Sequence, residues 1–145
     1  MINAGVSGDT TSAGLTRLSW TLKRTQPDIV FLALGGNDIL RGLSPAITRQ
    51  NLDAMLKILK SHNLTAILSQ VRAPSNLGAA YQTELANVFS SLATQYQVPV
   101  YPFLLEEIFT TPKLMLKDGI HPSADGIKVI TTQLSYYLLN LISQD

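Results

Sequence analysis

The chain has 145 residues, 46% of them apolar and 14% charged, a composition that fits one globular domain with a real core and excludes a disordered chain. Eleven basic and ten acidic residues leave a net charge of +1, scattered singly, so there is no electrostatic footprint for nucleic acid or for acidic membranes. Cysteine is absent, which excludes disulfides and thiolate metal sites, and no apolar run approaches the roughly 20 residues that a membrane helix needs.

The first nine residues, MINAGVSGD, have neither a basic stretch nor a long apolar one and do not read as a signal peptide. Thr11 or Ser12 is placed to cap a helix that carries Leu15, Leu18 and Leu22. Asp28 to Leu34 follows, a short and nearly continuous apolar run of the kind that forms a strand buried on both faces. Ser44-Pro45 opens a second helix, with the serine as cap and the proline at the first helical position, and it should bury Ile47, Leu52, Met55, Leu56 and Leu59. Thr65 to Val71 is a second strand-like run. Residues from about 78 to 96 form a third helix, with Leu85, Val88, Phe89 and Leu92 on one face. Val98 to Tyr101 is a third run, which Pro99 makes short or confines to an edge. Ser123 caps the last helix, whose apolar stripe is Ile127, Ile130, Leu134, Tyr137, Leu138 and Leu141.

This alternation of strand and helix predicts βαβ units, and hence a single α/β domain over residues 1–145 with a parallel sheet covered on both faces. Ligands of such sheets bind beyond the carboxyl ends of the strands, and the unusual residues collect in the loops there. After the first run comes Gly35-Gly36-Asn37-Asp38, where two glycines allow close backbone approach and Asn37 offers a side-chain NH2. That amide can donate to a developing oxyanion; on the tetrapeptide alone, a Gly-rich turn with an Asx bond is the favoured reading. Val6 to Thr11 leads into the first helix, so the N–H of Gly8 and its neighbours point outward where negative charge is welcome, although Asp9, Thr10 or Thr11 can also simply cap that helix. Asp118-Gly119-Ile120-His121-Pro122 precedes the last helix. Asp and His three apart across a glycine turn can face one pocket, as an Asp that orients a general-base His must. A two-ligand metal fragment and an exposed capped turn are the other readings; a metal needs more ligands than these, and His62, the only other histidine, sits at the polar end of a helix and reads as surface.

In order and spacing these blocks resemble the SGNH (GDSL) hydrolases, named for conserved Ser, Gly, Asn and His. NAGVSGDTT is similar to the glycine block, GGND within LALGGNDILRG to the GxND block, and DGIHP to the DxxH block. RAPSNLG at residues 72–78 and YPFLLEEI at 101–108 are similar to the branch that contains arylesterases and thioesterase I/lysophospholipase enzymes. The resemblance covers essentially the whole chain. It implies a three-layer α/β/α flavodoxin-like fold, an oxyanion hole of the Gly8 N–H and the Asn37 side chain, His121 as general base and Asp118 as its orienting carboxylate. It also implies an acyl-pocket loop with Arg72, Pro74, Asn76 and Leu77, the last standing where many relatives have Tyr. The implied substrates are small carboxylic esters, lysophospholipids or acyl thioesters, with no metal and no cofactor.

No Gly-Asp-Ser triplet occurs in the chain, so the block that carries the nucleophile, and with it the first and central strand of the family's sheet, is expected to be missing from the N-terminus. Ser7, Thr10, Thr11 and Ser12 lie near the right loop but are expected to serve as turn or cap groups. A chain without its central strand is expected to be unstable, to self-associate through exposed strand edges, or to rearrange so that the flanking strands pair, whereas the intact protein is expected to be a monomer. An inactive fragment or acyl-binding module of the same fold is the alternative function. A nucleotide binder is disfavoured, because no Gly-rich phosphate loop joins a strand to a helix. Relatives in this branch are often periplasmic or secreted; the chain itself fixes no compartment.

Overall fold

The computed structural model describes residues 1–143, which form two compact units, Met1–Pro102 and a second that begins at Phe103. In the first unit, helix α1 (Thr11–Thr25) is followed by strand β1 (Ile29–Leu32), the short helix α2 (Gly36–Leu40), helix α3 (Pro45–Ser61), strand β2 (Thr65–Ser69), a 3-10 turn (Ser75–Leu77), helix α4 (Ala79–Tyr96) and strand β3 (Val100–Tyr101). The strands form one parallel sheet in the order β1-β2-β3, with Ile29 opposite Thr65 and Leu68 opposite Val100. The α/β reading with a parallel sheet therefore holds, and each strand is shorter than its apolar run. Residues 1–6 lie in no strand, so β1 keeps one open edge and the N-terminal segment does not pair with it.

The core lies between the sheet and the helices α3 and α4. Leu52, Met55, Leu56 and Leu59 of α3 and Leu85, Val88, Phe89 and Leu92 of α4 are at most 3% exposed and pack with Leu32, Ala66 and Leu68 of the sheet. Leu18 and Leu22 bring α1 into the same cluster. Ile67 alternates to the other face of β2, and the rings of Phe31 and Tyr101 meet edge-on at 5.6 Å.

Three details of the sequence reading are corrected. Of the residues named as caps of α1, Thr10 is the one that serves, its hydroxyl accepting from the Ala13 N–H, and Thr11 and Ser12 lie inside the helix. Ile47 is 41% exposed, because Thr48 takes the inward position and donates to a buried carboxylate. Ile127 is 47% exposed, because Gly126 is the residue that faces inward in the last helix.

In the second unit, a 3-10 turn (Pro112–Leu114) leads through a small hairpin to helix α5 (Ala124–Ile142). Met115 bridges Pro122, and the Leu116 N–H donates to the His121 carbonyl at 2.7 Å. Ser123 caps α5, accepting from the Gly126 N–H while its hydroxyl donates to the Lys113 carbonyl. Ile108, Met115 and Ile130 form a small core. Gly126 lets α5 sit directly on the preceding turn, since a Cβ there would lie 2.1 Å from the Leu114 carbonyl oxygen.

Candidate active site

The residues singled out in the sequence fall into two clusters, one in each unit. In the first unit, β1 ends at Leu32 and the chain turns through Gly35, whose φ of +114° only glycine adopts readily. A side chain at Gly35 would also press on Val71 and come into contact with the Phe89 ring. The turn places Asn37 in the first turn of α2, half-buried, so this tetrapeptide is a helix start rather than an open loop. Gly8 lies at φ +81° in the turn before α1, closed by the Asp9 N–H donating to the Val6 carbonyl at 3.2 Å. The structure brings Gly8 and Asn37 together, 29 positions apart in sequence. The Asn37 Nδ2 donates to the Asp9 carbonyl at 3.0 Å, and the Arg41 guanidinium donates to the Gly8 carbonyl at 3.0 Å. One hydrogen of the Asn37 amide is used in this way, and the amide carries a second.

Sequence reasoning passed over what lies beneath this pair. Asp38, the residue after Asn37, is 0% exposed. Its carboxylate accepts from the Thr11 N–H at 2.8 Å, from the Thr11 hydroxyl, and from the Thr48 hydroxyl at 3.2 Å, while Asn51 donates to the Thr11 oxygen at 2.9 Å. The available signal was Thr48, a polar residue in phase with Leu52, Met55 and Leu59 on the buried stripe of α3.

In the second unit, Asp118 and His121 meet as the spacing suggested. The Asp118 Oδ1 accepts the backbone N–H groups of Ile120 and His121 at 2.9 and 3.0 Å, and Oδ2 lies 2.8 Å from the His121 Nδ1. Gly119, at φ +67°, closes the turn. The His121 backbone N–H first, then its ring, then the Ile120 N–H hold the Asp118 carboxyl down at about 2, from an ordinary 3.8. An ionised carboxylate only accepts, so the Nδ1 carries a proton, and in the neutral ring the lone pair is then on Nε2. For an acid lowered on folding, the stabilising bonds are complete above the ordinary value and are lost as pH falls through the lowered one. We expect a carbon-detected NMR titration of Asp118 to show a midpoint near 2; a midpoint near 3.8 would mean that the turn is not formed in solution.

Arg72, Pro74, Asn76 and Leu77 follow β2 on an exposed segment, the last two in the 3-10 turn. The Gln82 side chain donates to the Ala73 carbonyl at 3.0 Å and the Tyr81 hydroxyl to the Leu43 carbonyl at 2.7 Å, which ties α4 to this segment and to the end of the GGND region. Ser7 and Ser12 are exposed, Thr10 is spent on the α1 cap and Thr11 on Asp38. His62 is exposed at the end of α3, its Nδ1 2.8 Å from the Ile58 carbonyl. Among the described residues, no three His, Cys, Asp or Glu gather in a way that could hold a metal ion. No described helix is long and apolar enough to cross a membrane.

The model of the GDSL-like lipase/acylhydrolase family matches residues 1–129, so the chain belongs to that family. It is 39% identical over all its 145 residues to the thioesterase 1/protease 1/lysophospholipase L1 of Escherichia coli strain K12, of which it covers 70%. An arylesterase of Vibrio mimicus is 38% identical over 126 residues, which are 87% of this chain and 63% of that protein. The crystal structure of the psychrotrophic esterase EstA from Pseudoalteromonas sp., inhibited by monoethylphosphonate, superposes with a TM-score of 0.94 at 27% identity, covering 98% of this chain and 78% of that one. Its relatives are thus ester and thioester hydrolases of one fold.

Proposed function

We propose that this chain supplies the general base and the oxyanion donors of a serine hydrolase that cleaves carboxylic esters and acyl thioesters. The observation that carries this reading is the Asp118–His121 turn, in which an ionised carboxylate fixes the ring tautomer that leaves the Nε2 free to take a proton. A serine hydroxyl attacks the acyl carbonyl, its proton passes to the His121 Nε2, and the Gly8 N–H and the Asn37 amide hold the oxyanion. His121 then returns the proton to the leaving alcohol or thiol, and water repeats the cycle on the acyl-enzyme. Arg72, Pro74, Asn76 and Leu77 line the acyl side. Of the nearby hydroxyls, Thr10 is engaged in the cap and Thr11 in the Asp38 network, while Ser7 and Ser12 are exposed, and no Gly-Asp-Ser triplet occurs in the chain, which supports a serine from outside these 145 residues. The two units act as one domain over residues 1–145, a reading supported by the family match, which runs across both. By itself, the chain associates with its own copies through the open edge of β1.

The test is hydrolysis of p-nitrophenyl butyrate, with fluorophosphonate labelling, by the chain alone and by the chain joined to an N-terminal strand that ends in Gly-Asp-Ser. The joined protein should label and hydrolyse, and the chain alone should do neither. An inactive joined protein would end the esterase reading. Labelling of the chain alone that is lost in His121→Ala would place the nucleophile within these residues.

A further inference from the structure

We propose that Asp38 is a positioning residue, whose buried carboxylate locks the Gly8 turn and Asn37 into one rigid unit. The inference rests on the oxyanion reading given above. A buried carboxylate is costly unless donors surround it. Here the donors come from two other elements, Thr11 at the start of α1 and Thr48 in α3. The Thr11 N–H is one of the donors that a helix start leaves without a partner, and the first turn of α1 contains no acid of its own. Asp38 therefore serves as the acid at that positive helix end, from 27 positions away. Asn51 occupies the Thr11 oxygen, which leaves the single hydroxyl proton to Asp38 and fixes its direction.

The two ends of this network adjoin the two donors. Asp38 follows Asn37 directly, and Thr11 is the third residue after Gly8. The turn is also tied at Asp9, by Asn37 and by Arg17; the tie from Arg41 is solvent-exposed and competes with water, so it holds less firmly than the buried bonds. A displacement of about 1 Å in donor position costs on the order of 100-fold in rate, so the stiffness of this joint matters for turnover.

The test is nitrogen-15 NMR of the chain itself. It follows the Gly8 amide and the Asn37 side-chain NH2 in Asp38→Asn, Thr11→Val and Thr11→Ser. Thr11→Val keeps the shape and loses the hydroxyl; Thr11→Ser keeps the hydroxyl. In Asp38→Asn and Thr11→Val the Asn37 NH2 should exchange with solvent about tenfold faster and the Gly8 amide should move, while the amides of Leu56, Leu68 and Leu92 stay in place; Thr11→Ser should restore the native signals. If Asp38→Asn fails to fold, Thr48→Val, which removes one of the three donors, makes the same comparison. Unmoved Gly8 and Asn37 signals in these variants would overturn the role of Asp38. Butyrate, as a product-like carboxylate, reads the oxyanion assignment separately. It should shift Gly8 and Asn37 in the native chain and not in Asn37→Ala; no shift in the native chain would sink that assignment whatever Asp38 does.

Discussion

His121→Ala is expected to lower kcat/KM for p-nitrophenyl butyrate about 10³–10⁴-fold in the chain joined to a Gly-Asp-Ser strand. Alanine removes the ring proposed as the base, and the two backbone bonds to Asp118 survive, so the turn itself should persist. The loss should therefore fall on kcat with little change in thermal stability. Because the Asp118 carboxyl is held down at about 2, its protonation should leave no mark on the pH-rate profile above that range. An activity loss below tenfold, or a fall in melting temperature that matches the loss, would remove His121 from the general-base role.

Phe89→Ala has the largest expected effect on folding. The ring is 1% exposed, and its tip lies 3.6 Å from where a Cβ on Gly35 would stand, so it both fills the core and supports the turn that presents Asn37. Truncation of a buried Phe costs about 3–5 kcal/mol, through lost transfer energy and the cavity left behind. Set against the roughly 5–15 kcal/mol of a whole domain, that is a large fraction. The urea midpoint should fall sharply with the slope unchanged. Trp20→Ala is the control: Trp20 is 62% exposed and touches the Arg24 guanidinium 5.3 Å above its ring, so its loss should stay within about 0.5 kcal/mol. Equal effects from the two substitutions would mean that Phe89 does not pack as described.

The features legible in the sequence were those set by local chemistry. Ser123 caps α5 and Ser44-Pro45 opens α3, because caps and first-turn prolines act within a few residues. The apolar runs located all three strands, and Pro99 did confine the third to two residues. The Asp118–His121 pair was legible because its three-residue spacing is closed by a single glycine turn. The parts that stayed hidden depend on distant partners. Asp38 and Thr48 look like ordinary polar residues until folding brings Thr11 between them, and this pairing also turns Ile47 outward. Asn37 looked like part of a loop, because a five-residue helix is too short to show periodicity.

Gly126 has a consequence for how this sequence tolerates change. Its hydrogen atom faces a backbone oxygen and not a side chain that could swing aside, so no rearrangement of neighbouring side chains can admit even a methyl group there. In a saturation library selected for folded protein, position 126 should come back as glycine alone, while Ile127 beside it, exposed on the helix, accepts polar replacements freely. Mutational intolerance in this segment would then mark where α5 is seated, five residues after His121.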